Sequence, residues 1–343
     1  MAAPDEGEPT PQREGAVRAT DTLAAVRVLV VTNITPDPAT PARGSFVRDQ
    51  VSALRRAGVE AELHSFPVGL RQYPRATVEI RRRLREGSFD LVHAHYGLAG
   101  WCAFLAGARP LVVTFHGTDV RHRIVGLLSR RLARRLDLVA GVSRALFAPE
   151  SGRPGLPRRR GVTAVLPCGA DLERFRSTSR REARERLGLD PDGRYLLFPA
   201  SPSRQVKRHD RALEVARLAE AELLTGGSIE AERMPDWVNA ASAMLVTSDN
   251  EGFGLVAVEA LACDVAVLST PVGVARGLLR GIEGCLVEPF DAARWADLAR
   301  HHLDHPDARV AGRERARWFS ADLMAERVLV AYRELLASDA EPA

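Results

Sequence analysis

Two carboxylates eight positions apart bracket the stretch Glu251-Gly-Phe-Gly-Leu-Val-Ala-Val-Glu259, in which a glycine-flanked aromatic turn follows the first acid at once. An apolar, strand-like run over 244–247 leads in, and a helix-compatible run over 255–263 leads out. Strand, glycine turn and helix in that order make a site for a polar ligand. Gly252 and Gly254 admit backbone conformations and close approach that a side chain would block, and the new helix aims unpaired N–H groups and a positive dipole end at whatever sits there. Phosphate or sugar hydroxyls suit it. Paired hydrolase carboxylates stand ~5–9.5 Å apart, whereas eight helical residues rise about 12 Å at about 1.5 Å each. Acids so spaced hold different parts of one long ligand, unless the turn folds Glu251 back.

The basic residues sharpen this reading. The chain carries 48 lysines and arginines, and Lys207 is the sole lysine among them. Lysine is a compact point charge and a common phosphate ligand, whereas arginine is a broad planar fork. One lysine kept in an otherwise all-arginine chain points to a single charge fitted into a tight space. Lys207 falls in the loop Ser201-Pro-Ser-Arg-Gln-Val-Lys-Arg-His-Asp210, after a strand-like run over 195–200 and before a helical run from Arg211.

Such loops need a scaffold, and the rest of the chain supplies one. From residue 26, strand-like runs at 26–31, 60–66, 91–93, 111–115, 138–140 and 162–166 alternate with helical ones. After the turn-rich Pro167-Cys-Gly-Ala-Asp-Leu-Glu-Arg-Phe175 the alternation resumes, with strands expected at 195–198, 244–246, 265–268 and 284–287 and final helices at 292–302 and 321–336. Strands separated by helices imply parallel sheets covered on both faces. A chain of 343 residues suits two such domains, 25–176 and 177–336, with the strand C-termini facing a cleft between them. The stretch 1–24, rich in Pro and Glu, is expected as a disordered tail, and 337–343 as a second tail.

Composition excludes several classes. No apolar run approaches the ~20 residues of a membrane span, and no signal-peptide pattern opens the chain, so a cytoplasmic location is expected. The four cysteines are far apart, and the nine histidines include no pair beside a glutamate on one helix turn, so no metal site is expected. His301-His302 reads as a solvated pair. Between Arg71 and Arg160 eighteen arginines face six acids, a cationic half that could attract an anionic membrane leaflet or anionic acceptor. Nucleic acid is not the expected partner, because no aromatics are interleaved with these arginines as stacking platforms.

In order along the chain stand Arg43-Gly44-Ser45-Phe46, Asp90-Leu-Val-His-Ala-His95, Thr114-Phe-His116-Gly117, Gly141-Val-Ser143, Pro167-Cys168-Gly169 through Asp171 and Phe175, Lys207, and the Glu251 to Glu259 pair. With these motifs the stretch 26–336 resembles the retaining glycosyltransferases of family 4. The resemblance implies the GT-B architecture: α/β, with two Rossmann-like parallel-sheet domains facing across a cleft. It implies a nucleotide diphosphate sugar as donor substrate, no further cofactor and no bound metal. Lys207 and Arg204 would neutralise the departing diphosphate, Glu251 would contact sugar hydroxyls, and the amides of Phe253, Gly254 and Leu255 would bind sugar or phosphate oxygens. Glu259 would grip the ribose, Gly44 and Ser45 would approach the phosphates, and His116 would sit beside the sugar. His93-Ala-His-Tyr-Gly97 with Thr114-Phe-His-Gly-Thr-Asp119 is similar to the teichuronic-acid-type cell-surface group, which implies a glycan, lipid-linked or small-molecule acceptor.

Three features depart from the family pattern. The stretch from Lys207 to Glu251 is shorter than the family usually has, so that Glu222-Leu-Leu-Thr-Gly-Gly227 passes almost directly to Met234 and the identity of the nucleobase is not readable there. Cys168 stands where asparagine is often found, and Asp264 where glycine is common. The shortened half leaves a second reading open, a non-catalytic sugar-nucleotide-binding or regulatory subunit. A nicotinamide-dependent oxidoreductase is disfavoured, because Thr32-Asn-Ile-Thr-Pro36 replaces the Gly-x-Gly-x-x-Gly that should follow the first strand.

Overall fold

A computed structural model of the protein describes residues 26–149, 152, 154–158, 162–305 and 308–340. The tail expected over 1–24 lies outside them. The first half runs β1 (Arg27–Thr32), α1 (Ser45–Arg56), β2 (Glu60–Ser65), α2 (Gln72–Glu86), β3 (Leu91–His95), α3 (Gly97–Ala106), β4 (Leu111–Phe115), α4 (Thr118–Arg121), α5 (Arg123–Ala133), β5 (Leu138–Gly141) and β6 (Thr163–Val165). The second runs α6 (Arg180–Leu187), β7 (Tyr195–Phe198), α7 (His209–Leu218), β8 (Glu222–Thr225), α8 (Met234–Ala240), β9 (Ala243–Val246), α9 (Leu255–Ala262), β10 (Ala266–Ser269), α10 (Ala275–Leu279), β11 (Leu286–Val287), α11 (Ala292–Asp304), α12 (Arg313–Arg317) and α13 (Ala321–Ala340).

Central strands such as β3, β4, β7 and β9 are buried along their whole length, as strands covered on both faces must be. The sheet orders are β2-β1-β3-β4-β5-β6 and β8-β7-β9-β10-β11, and every pairing is parallel. The second sheet repeats the order of the first without its sixth strand. In each, the chain adds its second strand to one side of the first and its third to the other, which opens a crevice at the C-terminal ends of β1 and β3 and of β7 and β9. The two GT-B-type halves therefore carry their ligand loops at equivalent places.

Three expectations need correction. Glu222–Thr225 is a strand in its own right, paired with β7. It is four residues long, lies at the sheet edge and ends in Gly226-Gly227, so it left no apolar periodicity to read. The last helix runs past 336 to Ala340, which takes in the start of the expected tail. That helix also leaves the second half. Ala325, Val328 and Tyr332 of α13 are buried with Val28 and Val30 of β1 and with Val47 and Leu54 of α1. The two connections touch where they pass: the Ala170 amide donates to Phe319 O (2.9 Å) and the Ala321 amide to Ala170 O (2.7 Å). Asp264 adopts a left-handed backbone (φ 54°), and its Oδ1 accepts from the amides of Gly312 and Arg313. A short polar side chain tolerates that conformation and ties down the start of α12, so the replacement of glycine there has a structural basis.

Candidate functional site

The loop after β7 delivers Lys207, and the loop after β9 delivers Glu251. Lys207 Nζ donates to Glu251 Oε1 at 2.5 Å, with the two side chains only 13% and 11% exposed. The Ser248 hydroxyl donates to the same oxygen at 2.7 Å. Behind the pair, buried Thr247 donates its hydroxyl to the carbonyls of Lys207 and Arg208 (2.9 Å each), and the Asp249 amide donates to Val206 O. Arg211 closes the network by pairing with Asp249 at 2.8 Å. The two loops form one unit, so the ammonium and carboxylate are held in place before any ligand arrives.

The opposite wall comes from the first half and is built differently. Gly44, in a left-handed conformation, caps α1, and the Ser45 amide is held by Ala42 O at 3.1 Å, which leaves the Ser45 hydroxyl as its free polar group. Asp119 staples two turns together: Oδ1 accepts from the amides of His116 and Gly117 (3.0 Å each), and Oδ2 from that of Gly97 (3.1 Å). Burial nevertheless raises its carboxyl to about 6. His116 Nε2 lies 3.0 Å from His95 Nδ1, with Phe46 and Tyr96 against its ring at 5.0 and 4.5 Å. Desolvation holds His116 well below the usual imidazole range and His95 at about 3, so both rings are neutral at any working pH. His93 continues the row, stacked on His95 and bonded to Tyr332 Oη (2.6 Å) and Thr114 Oγ1 (2.7 Å).

The halves meet backbone to backbone. A Cβ at Gly252 would stand 1.6 Å from the carbonyl oxygen of His116, a contact no other residue could make. Arg121 of α4 reaches across as well, donating to Asn250 Oδ1 (2.8 Å) and Glu251 O (3.2 Å). Between the walls lies a cleft of about 630 Å³. Gly44, Ser45, Arg204, Lys207, Glu251, Gly254, Leu255 and Glu259 all line it. Two expected residues do not. The Phe253 ring is buried against Phe319 and its carbonyl is taken by the Val274 amide, while His116 reaches the second half through its carbonyl oxygen. No side chain caps α9, whose N-terminus at Leu255 opens on the cleft.

Glu259 lies partly buried in the cleft wall, where desolvation raises its carboxyl to about 7 against the opposing pull of Arg174. Arg174 forks onto Asp49 with bonds of 3.0 and 2.6 Å. Those two were not singled out from the sequence, because 125 residues separate them. Tyr96 was also overlooked as a lining residue. Its backbone sits at φ 73°, ψ 145°, a region nearly reserved for glycine, and such strain gathers at ligand sites. It stood inside a motif already singled out, but a dihedral angle leaves no trace in residue type. Burial pushes the Cys168 thiol up to about 12, which disfavours its thiolate. His302, expected to be solvated, is buried with Nε2 2.7 Å from Gly284 O.

This arrangement matches known proteins. Residues 22–174 fit the model described as Glycosyltransferase Family 4, and residues 196–305 that described as Glycosyl transferases group 1. A D-inositol 3-phosphate glycosyltransferase of Xylanimonas cellulosilytica is 32% identical over 307 residues, covering 73% of each chain. One from Frankia alni is 30% identical over 344 residues, covering 82% of this chain and 83% of its own. Among solved structures, sucrose-phosphate synthase of Thermosynechococcus elongatus superposes with a TM-score of 0.68 at 19% identity, over 91% of this chain and 100% of that one. Anabaena HepE in complex with UDP and glucose does so with a TM-score of 0.62 at 16% identity, over 91% and 99%.

Proposed function

The chain belongs to glycosyltransferase family 4 and is a glycosyltransferase, and from that premise we propose that it moves a hexose from a nucleotide diphosphate sugar to a hydroxyl acceptor with retention of configuration. The observation that carries this reading is the Lys207–Glu251 pair, locked in the cleft wall opposite the Gly44 turn. On donor entry Glu251 accepts from sugar hydroxyls, while Lys207 and Arg204 turn to the diphosphate. The anomeric C–O bond breaks with its electron pair going to the β-phosphate oxygen, and the two cations stabilise the charge that develops there. The acceptor oxygen bonds to the anomeric carbon from the same face, and its proton passes to the departing phosphate. The uncapped start of α9 and the amides of Gly254 and Leu255 bind sugar or phosphate oxygens. Glu259 holds the ribose hydroxyls, and Tyr96 borders the sugar from the first half with neutral His116 stacked behind it.

The name shared by the curated relatives directs the acceptor search first to inositol phosphates, with lipid-linked and glycan hydroxyls next. Exposed arginine on the first half also favours contact with an anionic membrane face. The test is release of nucleotide diphosphate from a panel of UDP-, GDP-, ADP- and TDP-sugars by wild type, Lys207→Ala and Glu251→Ala. Release from one donor, lost in both variants, supports the proposal and names base and sugar. Thermal stabilisation by a donor without release, in the presence of every acceptor class, would sink it in favour of a binding subunit.

A further inference from the structure

α3 carries no charged residue at all: its sequence is Gly-Leu-Ala-Gly-Trp-Cys-Ala-Phe-Leu-Ala. A helix apolar all round belongs in a core, yet one side of this one is left uncovered. Leu98, Trp101, Cys102 and Leu105 of α3 form a groove of about 680 Å³ with Tyr73, Pro74, Thr77 and Val78 from α2 and Leu128 from α5. Its lining is almost wholly apolar. Beside it, Leu70 is 91% exposed, Ile124 69% and Leu105 57%.

The charges around the groove are mostly positive. Arg71 and Arg75 stand exposed at the start of α2, and Arg81 donates to Leu105 O at 2.6 Å. Arg109 covers the Phe104 ring at the other end of α3. Along α5 lie Arg123 and Arg131, and that helix has no acid. α2 itself carries five arginines against two acids, Glu79 and Glu86. An apolar surface ringed by exposed arginine is complementary to an interface that is apolar within and anionic outside, which describes the headgroup boundary of an anionic bilayer. No helix among the described residues is long and apolar enough to cross a membrane, so such contact would be peripheral.

We propose that the α2–α3–α5 face is a docking surface for an anionic phospholipid bilayer, with Leu70, Leu105 and Ile124 entering the headgroup region and Arg71, Arg75 and Arg123 facing lipid phosphates. The inference deepens the membrane contact proposed above and rests on it. α3 begins one residue after Tyr96, so a bilayer on this face lies beside the first-half wall of the cleft.

The test is co-sedimentation of the full chain with vesicles of phosphatidylcholine alone and with phosphatidylglycerol added, at low and high salt, with donor turnover measured in the same samples. The expected result is binding to the anionic vesicles only, weakened by salt. Combined Arg71→Gln, Arg75→Gln and Arg123→Gln should lower the partition coefficient about a hundredfold, at about tenfold or less per arginine. Leu105→Asp with Ile124→Asp should abolish binding while turnover in solution is unchanged. Absence of wild-type binding, or variants that bind as wild type does, overturns the proposal and leaves the transferase reading intact. A wild-type dimer that Leu105→Asp splits, without vesicle binding, overturns it in favour of a second copy on this face.

Discussion

The loops after β1, β3 and β4 and those after β7 and β9 occupy equivalent places in two sheets of the same strand order, yet they bring opposite chemistry to the cleft. The second half presents charge that is already engaged: Lys207 on Glu251, with Ser248 on the same carboxylate. The first half presents the Gly44 turn and the rings of Phe46 and Tyr96, with His116 and His95 packed behind them and kept neutral by burial. Topology thus decides where a ligand sits, and a few residues per loop decide what it meets. The Lys207–Glu251 side suits a diphosphate, and the Phe46 and Tyr96 side suits a sugar ring, since aromatic rings border it without competing for its hydroxyls.

The sharpest way to break this contrast is to remove the charge. Lys207→Ala should lower kcat/KM about a thousandfold, the upper range for losing one group that stabilises developing oxyanion charge. Glu251→Ala should cost a similar factor and leave Lys207 without its partner. Because the two act as one unit, the double variant should be little worse than either single one, a coupling that a double-mutant cycle measures directly. Additive losses would mean that the pair in the free enzyme is incidental.

The second test concerns how the two sides are held together. Gly252→Ala places a methyl group 1.6 Å from the His116 carbonyl oxygen, so the walls must separate. A displacement of about 1 Å between reacting groups costs about a hundredfold in rate. A fall of that order in kcat is expected with little change in Tm, because the clash lies between the halves and outside either core.

Burial also sets the two sides apart in their response to pH. The folded pKa values of His93, His95 and His116 are depressed, so their contribution to stability is present above the unfolded value of about 6.5 and is lost on acidification. Glu259 has the opposite sign. Its folded pKa is raised to about 7, so its contribution is present below the unfolded value near 4.5 and is lost as pH rises through 7. A donor whose ribose bonds to the carboxylate pulls that pKa down, so donor affinity should rise about tenfold between pH 6 and pH 8. Calorimetric titration checks this, and Glu259→Gln should flatten the dependence. A slope that persists in the variant would place the titrating group elsewhere.

How much of this the sequence disclosed follows the range of the interactions involved. Local patterns carried well: the alternation of buried strands with amphipathic helices, the glycine turn before α9 and the sole lysine are all features of short windows. Long-range placement did not carry. Arg174 and Asp49 pair across 125 residues, α13 returns to β1 and α1 by tertiary packing, and the strain at Tyr96 is a property of the folded loop. His116 was singled out as a site residue, but its enclosure by Phe46 of α1 and by His95 and Tyr96 at the end of β3 depends on tertiary packing that the sequence does not display.

The smallest expected effect separates contact from composition. Gly277 lies within α10, where an added Cβ would meet nothing within 4 Å. Alanine there removes backbone freedom from the unfolded chain and improves helix propensity, which should stabilise by about 0.5–1 kcal/mol. Thermal unfolding should show a rise of a degree or two with turnover unchanged. The comparison is informative because α10 follows the loop in which Gly273 presses on the Phe253 carbonyl and the Val274 amide donates to it, so the helix lies one turn from the Glu251 loop. If Gly277→Ala left Tm higher but lowered kcat, motion of α10 would be part of the catalytic cycle. The charged wall would then owe its geometry to a moving element, and the contrast between a fixed charged side and a sealed neutral side would have to be redrawn.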